Sequence, residues 1–356
     1  YLHSDQEEAL YKIIDGSPLK GDQPLTPTLK APDGRPIYNQ TGRNTYKGGL
    51  YNESGGEREV VSLAFSRYFN DGDGSFTIGY THQNIDELSG MASTTANSSY
   101  GKYAASDYNN RTAQRSIYET EHRLFATMSS THYFFGADKP TTFNLYFERK
   151  SGLPGTYSWD TYTSRNYGGT AYQREAFGYE KNLNDDSSHL IYVPSGLDDP
   201  NVCWGSCDGA PDLAIANQVL DMLYNQLGLA SYAGQIVPNG VYEYPWQTSL
   251  DLKITQILPG FRAEDEFVIS LGIENLLNLI DSNKGEIEYG NYNGKMAVLD
   301  MYMNEDFSKY IYPNYKGRGY PDWAYGFNQS NPKGIRKSAV NSIWRAQLGF
   351  TYKFSF

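Results

Sequence analysis

The side chains with the clearest chemical potential in this sequence are its histidines, its two cysteines and an acidic turn. The histidines are His3, His82, His122, His132 and His189. None of them lies in a G-x-S-x-G or H-E-x-x-H pattern, which would mark a nucleophilic serine or a zinc-binding helix. His122 directly follows Glu121 on an expected strand, where consecutive side chains point to opposite faces. The sequence therefore predicts no enzyme, no catalytic or metal-binding residue and no cofactor.

The acidic turn at residues 71–75 reads Asp-Gly-Asp-Gly-Ser, like the start of a calcium-binding loop. Such a loop requires a glutamate further along to complete the ligand set, and that glutamate is missing. A plain hairpin turn is the favoured interpretation.

Cys203 and Cys207 lie four residues apart in the sequence CWGSC. Two cysteines so close together in an exported loop predict a disulfide. Two free thiols are the alternative. A metal site is a weaker alternative, because two soft ligands alone do not complete a tetrahedral zinc shell.

A short helix is predicted directly after the cysteines. Pro211 and Asp212 are start signals, and Gly228 is a stop signal. Between them an apolar stripe has helical spacing, and it consists of Ala216, Val219, Leu220, Leu223 and Leu227. We expect this helix to pack as part of a long loop.

The composition of the 356-residue chain combines many aromatic residues with a low mean hydropathy. There are 32 Tyr, 16 Phe and 5 Trp, and the mean hydropathy is −0.61. No window approaches the roughly 18 to 20 apolar residues of a membrane-spanning helix. In a transmembrane β-barrel, however, lipid-facing and lumen-facing residues alternate, so their hydropathies cancel in an average. The net charge of −11 argues against nucleic-acid binding, which needs a basic face.

The strongest element is the final segment, which reads SIWRAQLGFTYKFSF from Ser342 onward. Its alternation has a period of two, the signature of a β-strand. One face carries Trp344, Ala346, Leu348, Phe350, Tyr352, Phe354 and Phe356. Such a strand exceeds the usual 3 to 10 residues of soluble sheets and suits a tilted membrane strand with an extension.

Three hairpins follow the same alternation. They pair residues 61–66 with 76–81, a segment within 115–134 with 143–147, and residues 250–254 with 267–273. Weaker strand patterns near 155–163, 170–180 and 189–194 bring the total to about eight to ten strands.

The connections between these strands alternate in length. The hairpin turns at 70–74, 136–140 and 259–265 are short, whereas the connections 86–114, 195–243 and 281–341 are long. Long loops are uncommon in compact soluble domains. Short turns at one end and long loops at the other are typical of outer-membrane barrels, which would make the short turns periplasmic and the long loops extracellular.

Several segments resemble the C-terminal half of a TonB-dependent outer-membrane receptor, closest to the Oar-like group. Residues 246–254 with the turn 259–261 resemble that group's antepenultimate strand, 273–279 resemble its penultimate-strand "ENLFN" signature, and 348–356 resemble its terminal strand. Residues 149–154 and 190–194 resemble weaker internal motifs. The resemblance covers about residues 140–356.

This resemblance implies an all-β, antiparallel transmembrane β-barrel in the outer membrane of a Gram-negative bacterium. Residues 1–356 would be the C-terminal part of one 22-stranded barrel domain, without the plug domain, the TonB box or the N-terminal strands. The chain would then be a fragment, a cleaved product or part of a larger receptor. The implied partners are the rest of the receptor, the TonB complex acting through the plug, the barrel-assembly machinery and a surface lipoprotein.

The resemblance also suggests roles for aromatic residues. Phe356, with Tyr352 and Phe354, would form the C-terminal signal for the assembly machinery, and the same face can equally anchor in lipid. Loop aromatics are candidates for stacking on a peptide, glycan or chelate: Trp159, Tyr162, Trp204, Tyr292, Tyr310, Tyr312, Tyr315 and Trp323. For any single one of these, packing within an ordered loop is the favoured alternative.

The function implied is TonB-dependent active import, with a peptide or a protein-derived substrate suggested by analogy with the Oar-like group. A passive outer-membrane porin, adhesin or surface scaffold is the alternative. A soluble all-β carbohydrate binder is a third interpretation, against which the exposed aromatic stripe of the final strand argues.

Overall fold

The computed structural model describes residues 1–14, 27, 29–37, 47–89, 99, 103–160, 189–262, 264–290, 294–304, 306–312 and 334–354. In chain order the strands of these residues are β1 (Leu2–Ile14), β2 (Leu29–Lys30), β3 (Pro36–Ile37), β4 (Lys47–Phe69), β5 (Gly74–Glu87), β6 (Gln114–Arg115), β7 (His122–His132), β8 (Thr141–Lys150), β9 (Pro154–Asp160), β10 (Tyr192–Val193), β11 (Val202–Trp204), β12 (Gln235–Ile236), β13 (Tyr242–Glu243), β14 (Gln247–Pro259), β15 (Glu266–Glu274), β16 (Glu288–Tyr289), β17 (Lys295–Asp300), β18 (Tyr302–Met303), β19 (Tyr310–Tyr312), β20 (Arg336–Lys337) and β21 (Arg345–Lys353).

Helical segments are short and few in this part of the chain. They are α1 (Leu213–Asp221), α2 (Leu276–Ile280), α3 (Ala339–Ser342), a π-helical turn (Met222–Gln226) and two 3-10 turns (Asn70–Gly72 and Ala230–Tyr232). Among the described residues, no helix has the length and apolar character needed to cross a membrane.

One large antiparallel sheet dominates the molecule, so the all-β, antiparallel prediction is confirmed. Its strand order is β1-β4-β5-β7-β8-β14-β15-β21, with β6 paired to the end of β5. Every neighbouring pair of long strands is antiparallel. The sheet is open in the described part of the chain, and β1 and β21 are its two edges. We call these eight strands the main sheet.

The predicted hairpins are present in the main sheet. β4 pairs with β5 so that Leu63 faces Tyr80, β7 pairs with β8, and β14 pairs with β15 so that Leu252 faces Ile273. The acidic segment is the hairpin turn between β4 and β5, as expected, with Asp71 in the left-handed region at φ 51°. The final strand begins at Arg345, one residue after Trp344.

The two ends of the main sheet differ sharply. The short turns, residues 70–73, 133–140 and 260–265, all lie at one end, because the long strands are antiparallel neighbours in chain order and successive connections therefore alternate between the two ends. The connections at the other end are residues 15–46, 88–121, 151–246 and 275–344. The predicted alternation of short turns and long connections is therefore confirmed, with one more long connection near the N-terminus.

The long connections fold into a body of their own, which we call the cap: the described residues within 29–37, 103–119, 154–160, 189–244 and 294–312. Small sheets form there, among them β13-β9-β17, β11-β19-β18 and β10-β12. The 155–163 prediction corresponds to β9, the 189–194 prediction shrinks to β10, and the predicted strand at 170–180 lies outside the described residues.

Helix α1 lies in the cap and follows the predicted pattern. The Asp212 side chain accepts hydrogen bonds from the backbone N–H groups of Ala214 and Ile215, which is the usual stabilisation of a helix start. Val219 and Leu223 of the apolar stripe are completely buried. Gly228 ends the helical region with φ 71°, a conformation that favours glycine.

The apolar core of the described residues lies in the cap and not against the main sheet. The cluster of buried hydrophobic side chains includes Tyr157, Trp159, Ile191, Trp204, Leu223, Tyr310 and Tyr312, and none of its fully buried members belongs to a main-sheet strand. The main sheet therefore has two faces that no packed layer of this core covers.

Candidate functional site

One face of the main sheet is apolar and exposed. Because side chains alternate along each strand and the pairing keeps register, apolar residues of neighbouring strands line up in rows. One row across the strands consists of Phe65, Ile78, Ala126, Phe147 and Leu250. A second row, four residues further along β14, includes Ile254, Leu271 and Leu348. Leu63 is 72% exposed, Phe65 61% and Phe350 62%. We call this surface the apolar face.

The opposite face of the main sheet carries mostly polar side chains and forms an open depression of about 570 Å³. Its lining includes Asn144, Tyr146, Asp251, Lys253 and Glu274. Elsewhere on this face the Arg123 guanidinium donates to Glu148 over 2.7 Å. The arrangement presents carboxylates, ammonium groups and amides to water and can hold a polar solute without any covalent chemistry.

The apolar face ends in a group of rings next to the cap. The His122 ring stacks on Trp246 with centroids 5.9 Å apart and on His82 at 5.0 Å. The Arg149 guanidinium lies 5.5 Å from the Trp246 ring centroid. Rings with a polar edge favour such a position between an apolar surface and water.

The expectation that Glu121 and His122 point to opposite faces is wrong. The His122 Nε2 atom lies 3.3 Å from the Glu121 Oε1 atom. The physical reason is that β7 begins at His122, so Glu121 belongs to the preceding connection and does not follow the alternation of the strand. Sequence reasoning placed the start of this strand too early to recognise the pair.

The predicted loop aromatics divide into a buried set and an undescribed set. Trp159, Trp204, Tyr310 and Tyr312 are all buried in the core of the cap. Their rings contact one another, with centroid distances of 4.9 Å for Trp159–Tyr310 and 5.7 Å for Trp204–Tyr312. This burial favours the packing interpretation for these four. Tyr162, Tyr292, Tyr315 and Trp323 lie outside the described residues.

A buried ion pair lies beside these rings, and sequence reasoning missed it. The Arg35 guanidinium donates to Asp33 through Nε over 2.8 Å and lies 4.4 Å from the Trp159 ring centroid. The side chains of Arg35 and Asp33 are 2% and 3% exposed. Burial raises the pKa of Asp33, but the charge of Arg35 and the hydrogen bonds from Arg35 and Tyr310 together outweigh burial and lower that pKa.

Cys203 and Cys207 form a disulfide, as predicted. Cys203 belongs to β11, which runs parallel to β19, and the Gly205 N–H donates to the Tyr312 carbonyl over 2.8 Å. The bond closes a small loop, residues 203–207, which contains the buried Trp204 and precedes helix α1.

At the end of the chain, Tyr352 connects the last strand to the third short turn. Its hydroxyl donates to Asp265 Oδ2 over 2.7 Å and accepts from the Phe261 N–H over 2.8 Å. The Tyr352 and Phe354 rings meet edge to face at 4.7 Å, and Phe354 is largely exposed. Phe356 lies outside the described residues. An assembly-signal role for these rings stays a prediction.

The fold and these surfaces define an all-β protein in which an open antiparallel sheet with one apolar and one polar face carries a separately packed cap. No protein-family model, curated protein or solved structure matches this chain.

Proposed function

We propose that this chain forms part of the wall of a transmembrane β-barrel in the outer membrane of a Gram-negative bacterium, and that the barrel serves TonB-dependent import. The apolar face would contact lipid, the polar face would line the lumen, and the cap would lie outside the cell. The chain would supply wall and external loops, with energy coupling through other parts of the receptor.

The observation that carries this proposal is the uncovered apolar face of the main sheet. Exposing a large apolar side chain to water costs about 1.5 to 3 kcal/mol relative to burial, and this face exposes Leu63, Phe65, Ile78, Leu348 and Phe350 together. A contiguous apolar surface of this kind marks contact with a membrane or a partner. In a bilayer the same side chains are stable.

Strand length and chain topology also support a wall in a bilayer. β7, β8, β15 and β21 contain 11, 10, 9 and 9 residues, and a tilted strand needs about 9 to 11 residues to span the hydrocarbon. Short turns at one end and long connections at the other follow the outer-membrane pattern. Because exposed edges are not tolerated in lipid, further strands would pair with β1 and β21.

The import part of the proposal rests on the motif resemblance at residues 246–254 with the turn 259–261, at 273–279 and at 348–356, and on the open depression in the polar face. Its test is uptake of a fluorescent peptide mixture by cells that differ in this protein and in TonB. Uptake that needs both supports active import. Uptake that needs the protein but persists without TonB would instead favour a passive pore.

The membrane part is tested by two neighbouring positions of β4 whose side chains point to opposite faces. Leu63→Cys and Ala64→Cys are each labelled with a small fluorophore in the intact protein, which is then placed in lipid vesicles. The native cysteines form a disulfide and do not compete for the label. We expect brominated lipids to quench the probe at residue 63 and aqueous iodide to quench the probe at residue 64. Equal quenching of both probes by iodide would refute a lipid-facing apolar surface.

A further inference from the structure

We propose that His82, Glu121 and His122 form a binding site for one divalent transition-metal ion of the zinc class. One ligand atom from each residue lies within 4.8 Å of the others. A tetrahedral zinc ion with bonds of about 2.0 to 2.1 Å holds its ligand atoms about 3.3 Å apart. The His122 Nε2 and Glu121 Oε1 atoms already have this separation, 3.3 Å.

The hydrogen bonds of the two rings are made by Nδ1, which leaves Nε2 of each ring for a metal ion. The His82 Nδ1 atom lies 3.2 Å from the backbone carbonyl oxygen of Glu121. A carbonyl can only accept a hydrogen bond, so Nδ1 carries the proton and Nε2 of the neutral ring has a free lone pair. The His122 Nδ1 atom lies 2.8 Å from the Tyr80 hydroxyl, which can accept in the same way. Such outer partners orient the histidine ligands of metal sites.

The carboxylate is also held with one oxygen left over. Arg115 donates to the Glu121 Oε2 atom over 2.8 Å, which leaves Oε1 directed at the His122 ring. Arg115 is itself fixed by Glu119 at 2.6 Å and by Glu243 at 2.7 Å. The ion-pair network therefore positions Glu121, and Arg115 contacts it through Oε2 and not through Oε1.

The donor set decides which ions fit. Two imidazoles and one carboxylate suit zinc, cobalt, nickel and copper, whereas calcium and magnesium prefer oxygen ligands throughout. Water would complete the coordination, as at zinc sites with three protein ligands. Since His82 lies on β5 and Glu121 precedes β7, a bound ion would link these neighbouring strands near the cap. The inference does not depend on the membrane or import proposals.

The test is a titration of the intact, detergent-solubilised protein, freed of metal by a chelator, with Co²⁺ as the probe. We expect one Co²⁺ per chain, with visible d–d absorption that Zn²⁺ abolishes. His82→Ala and His122→Ala should each remove this absorption. Tyr80→Phe keeps the ring but loses the outer hydrogen bond, and it should weaken binding about 10- to 100-fold.

Two further variants serve as matched controls. His132→Ala removes a histidine at the short-turn end of the main sheet. His3→Ala disrupts the second group with suitable spacing among the described residues, His3 with Glu57 and Glu59, which is more exposed. Both variants should bind Co²⁺ as the parent protein does. Absence of binding in the parent, unchanged binding in His82→Ala and His122→Ala, or loss of binding in His3→Ala would overturn the proposal.

Folding of the variants is followed separately. Near-ultraviolet circular dichroism and the melting temperature without metal should match the parent, and His82→Gln with His122→Gln replace any alanine variant that fails this criterion. Zn²⁺ should raise the melting temperature of the parent with increasing concentration, because an ion that binds only the folded state stabilises it. The same shift in the His82 and His122 variants would contradict the site.

Discussion

Arg35 is a buried cation that forms an ion pair with the carboxylate of Asp33. Asp33 accepts from it through Oδ2, and the Leu190 carbonyl accepts from its NH1 group over 2.6 Å. We expect Asp33→Asn to lower the free energy of unfolding by about 3 to 5 kcal/mol, because breaking a buried ion pair by removing one partner is strongly destabilising. Urea unfolding followed by tryptophan fluorescence measures this, since Trp159 contacts Arg35.

The same ion pair has a defined pH dependence. Because the pKa of Asp33 in the folded protein is lowered, its stabilisation is present above the unfolded pKa of about 3.9 and is lost as the pH falls through the folded value. The difference between the parent and Asp33→Asn should therefore shrink below about pH 4. Asp208→Asn, an exposed carboxylate of the cap, is the control and should change stability little. A constant difference down to pH 2 would contradict the ion-pair account.

The disulfide between Cys203 and Cys207 stabilises the fold by reducing the conformational entropy of the unfolded chain. Closing a loop of a few residues stabilises a fold by about 2 kcal/mol in the chain-entropy model. Replacing both Cys203 and Cys207 by serine should reduce the free energy of unfolding by this amount while Trp204 stays buried. Urea unfolding measures the loss, and thiol labelling of the unreduced parent after denaturation should give no mass increase. Labelled thiols there would show that the bond does not form.

At the scale of single elements, β21 offers a matched pair of positions for a charge. Leu348 lies on the apolar face and pairs with Leu271, whereas its neighbour Gln347 pairs with Gly272 on the polar face. Arginine on the lipid side near the middle of a membrane costs about 2 to 4 kcal/mol. We expect Leu348→Arg to reduce the amount of protein assembled in the outer membrane and Gln347→Arg to leave it nearly unchanged. Immunoblots of membrane fractions provide the measurement, and equal effects would argue against a lipid-facing strand.

The elements that alternate were predictable, and those that do not alternate were missed. Residues 61–66 and 345–353 were recognisable as strands because apolar residues on one face alternate with more polar residues on the other. β1 (Leu2–Ile14) has mostly polar and acidic residues in its first half, and the part of β4 before residue 60 is rich in glycine. These segments are strands because their backbones pair with each other. Their sequences show no alternation of apolar and polar residues that would predict this pairing.

The cap shows why the site was harder to predict than the sheet. β9 pairs in parallel with β17, although the two lie far apart in the sequence. Trp159 lies on β9, and Tyr310 lies on β19, which pairs in parallel with the distant β11. Burial of both rings depends on such long-range pairing, and nothing in their local sequence distinguishes a packed ring from an exposed one. The disulfide was predictable because a spacing of four residues keeps the two cysteines close together whatever the rest of the chain does.

At the scale of the whole molecule, the cap with its buried aromatic core adjoins one end of the main sheet, whose apolar face is exposed. The cap buries its aromatic core without help from the main sheet. The described part of the main sheet has no such core, and its apolar face is exposed. The separation explains why mean hydropathy is low although the sheet exposes many large apolar side chains: the polar loops and the polar face offset them.

If the chain lies in an outer membrane as proposed, this separation predicts which end of the molecule faces outward. All four long connections leave the main sheet at the cap end, and the turn at 133–140 lies at the other. An epitope tag inserted at Gly209, in an exposed stretch of the cap, should bind antibody on intact cells. The same tag inserted after Gly136 should bind only after the outer membrane is permeabilised. Both insertions lie in turns outside the strands, so neither interrupts the backbone pairing of the sheet. If the tag in the turn is labelled on intact cells, the cap does not lie on the outer side, and the polar face cannot form the inner wall of an import route that begins at the cap.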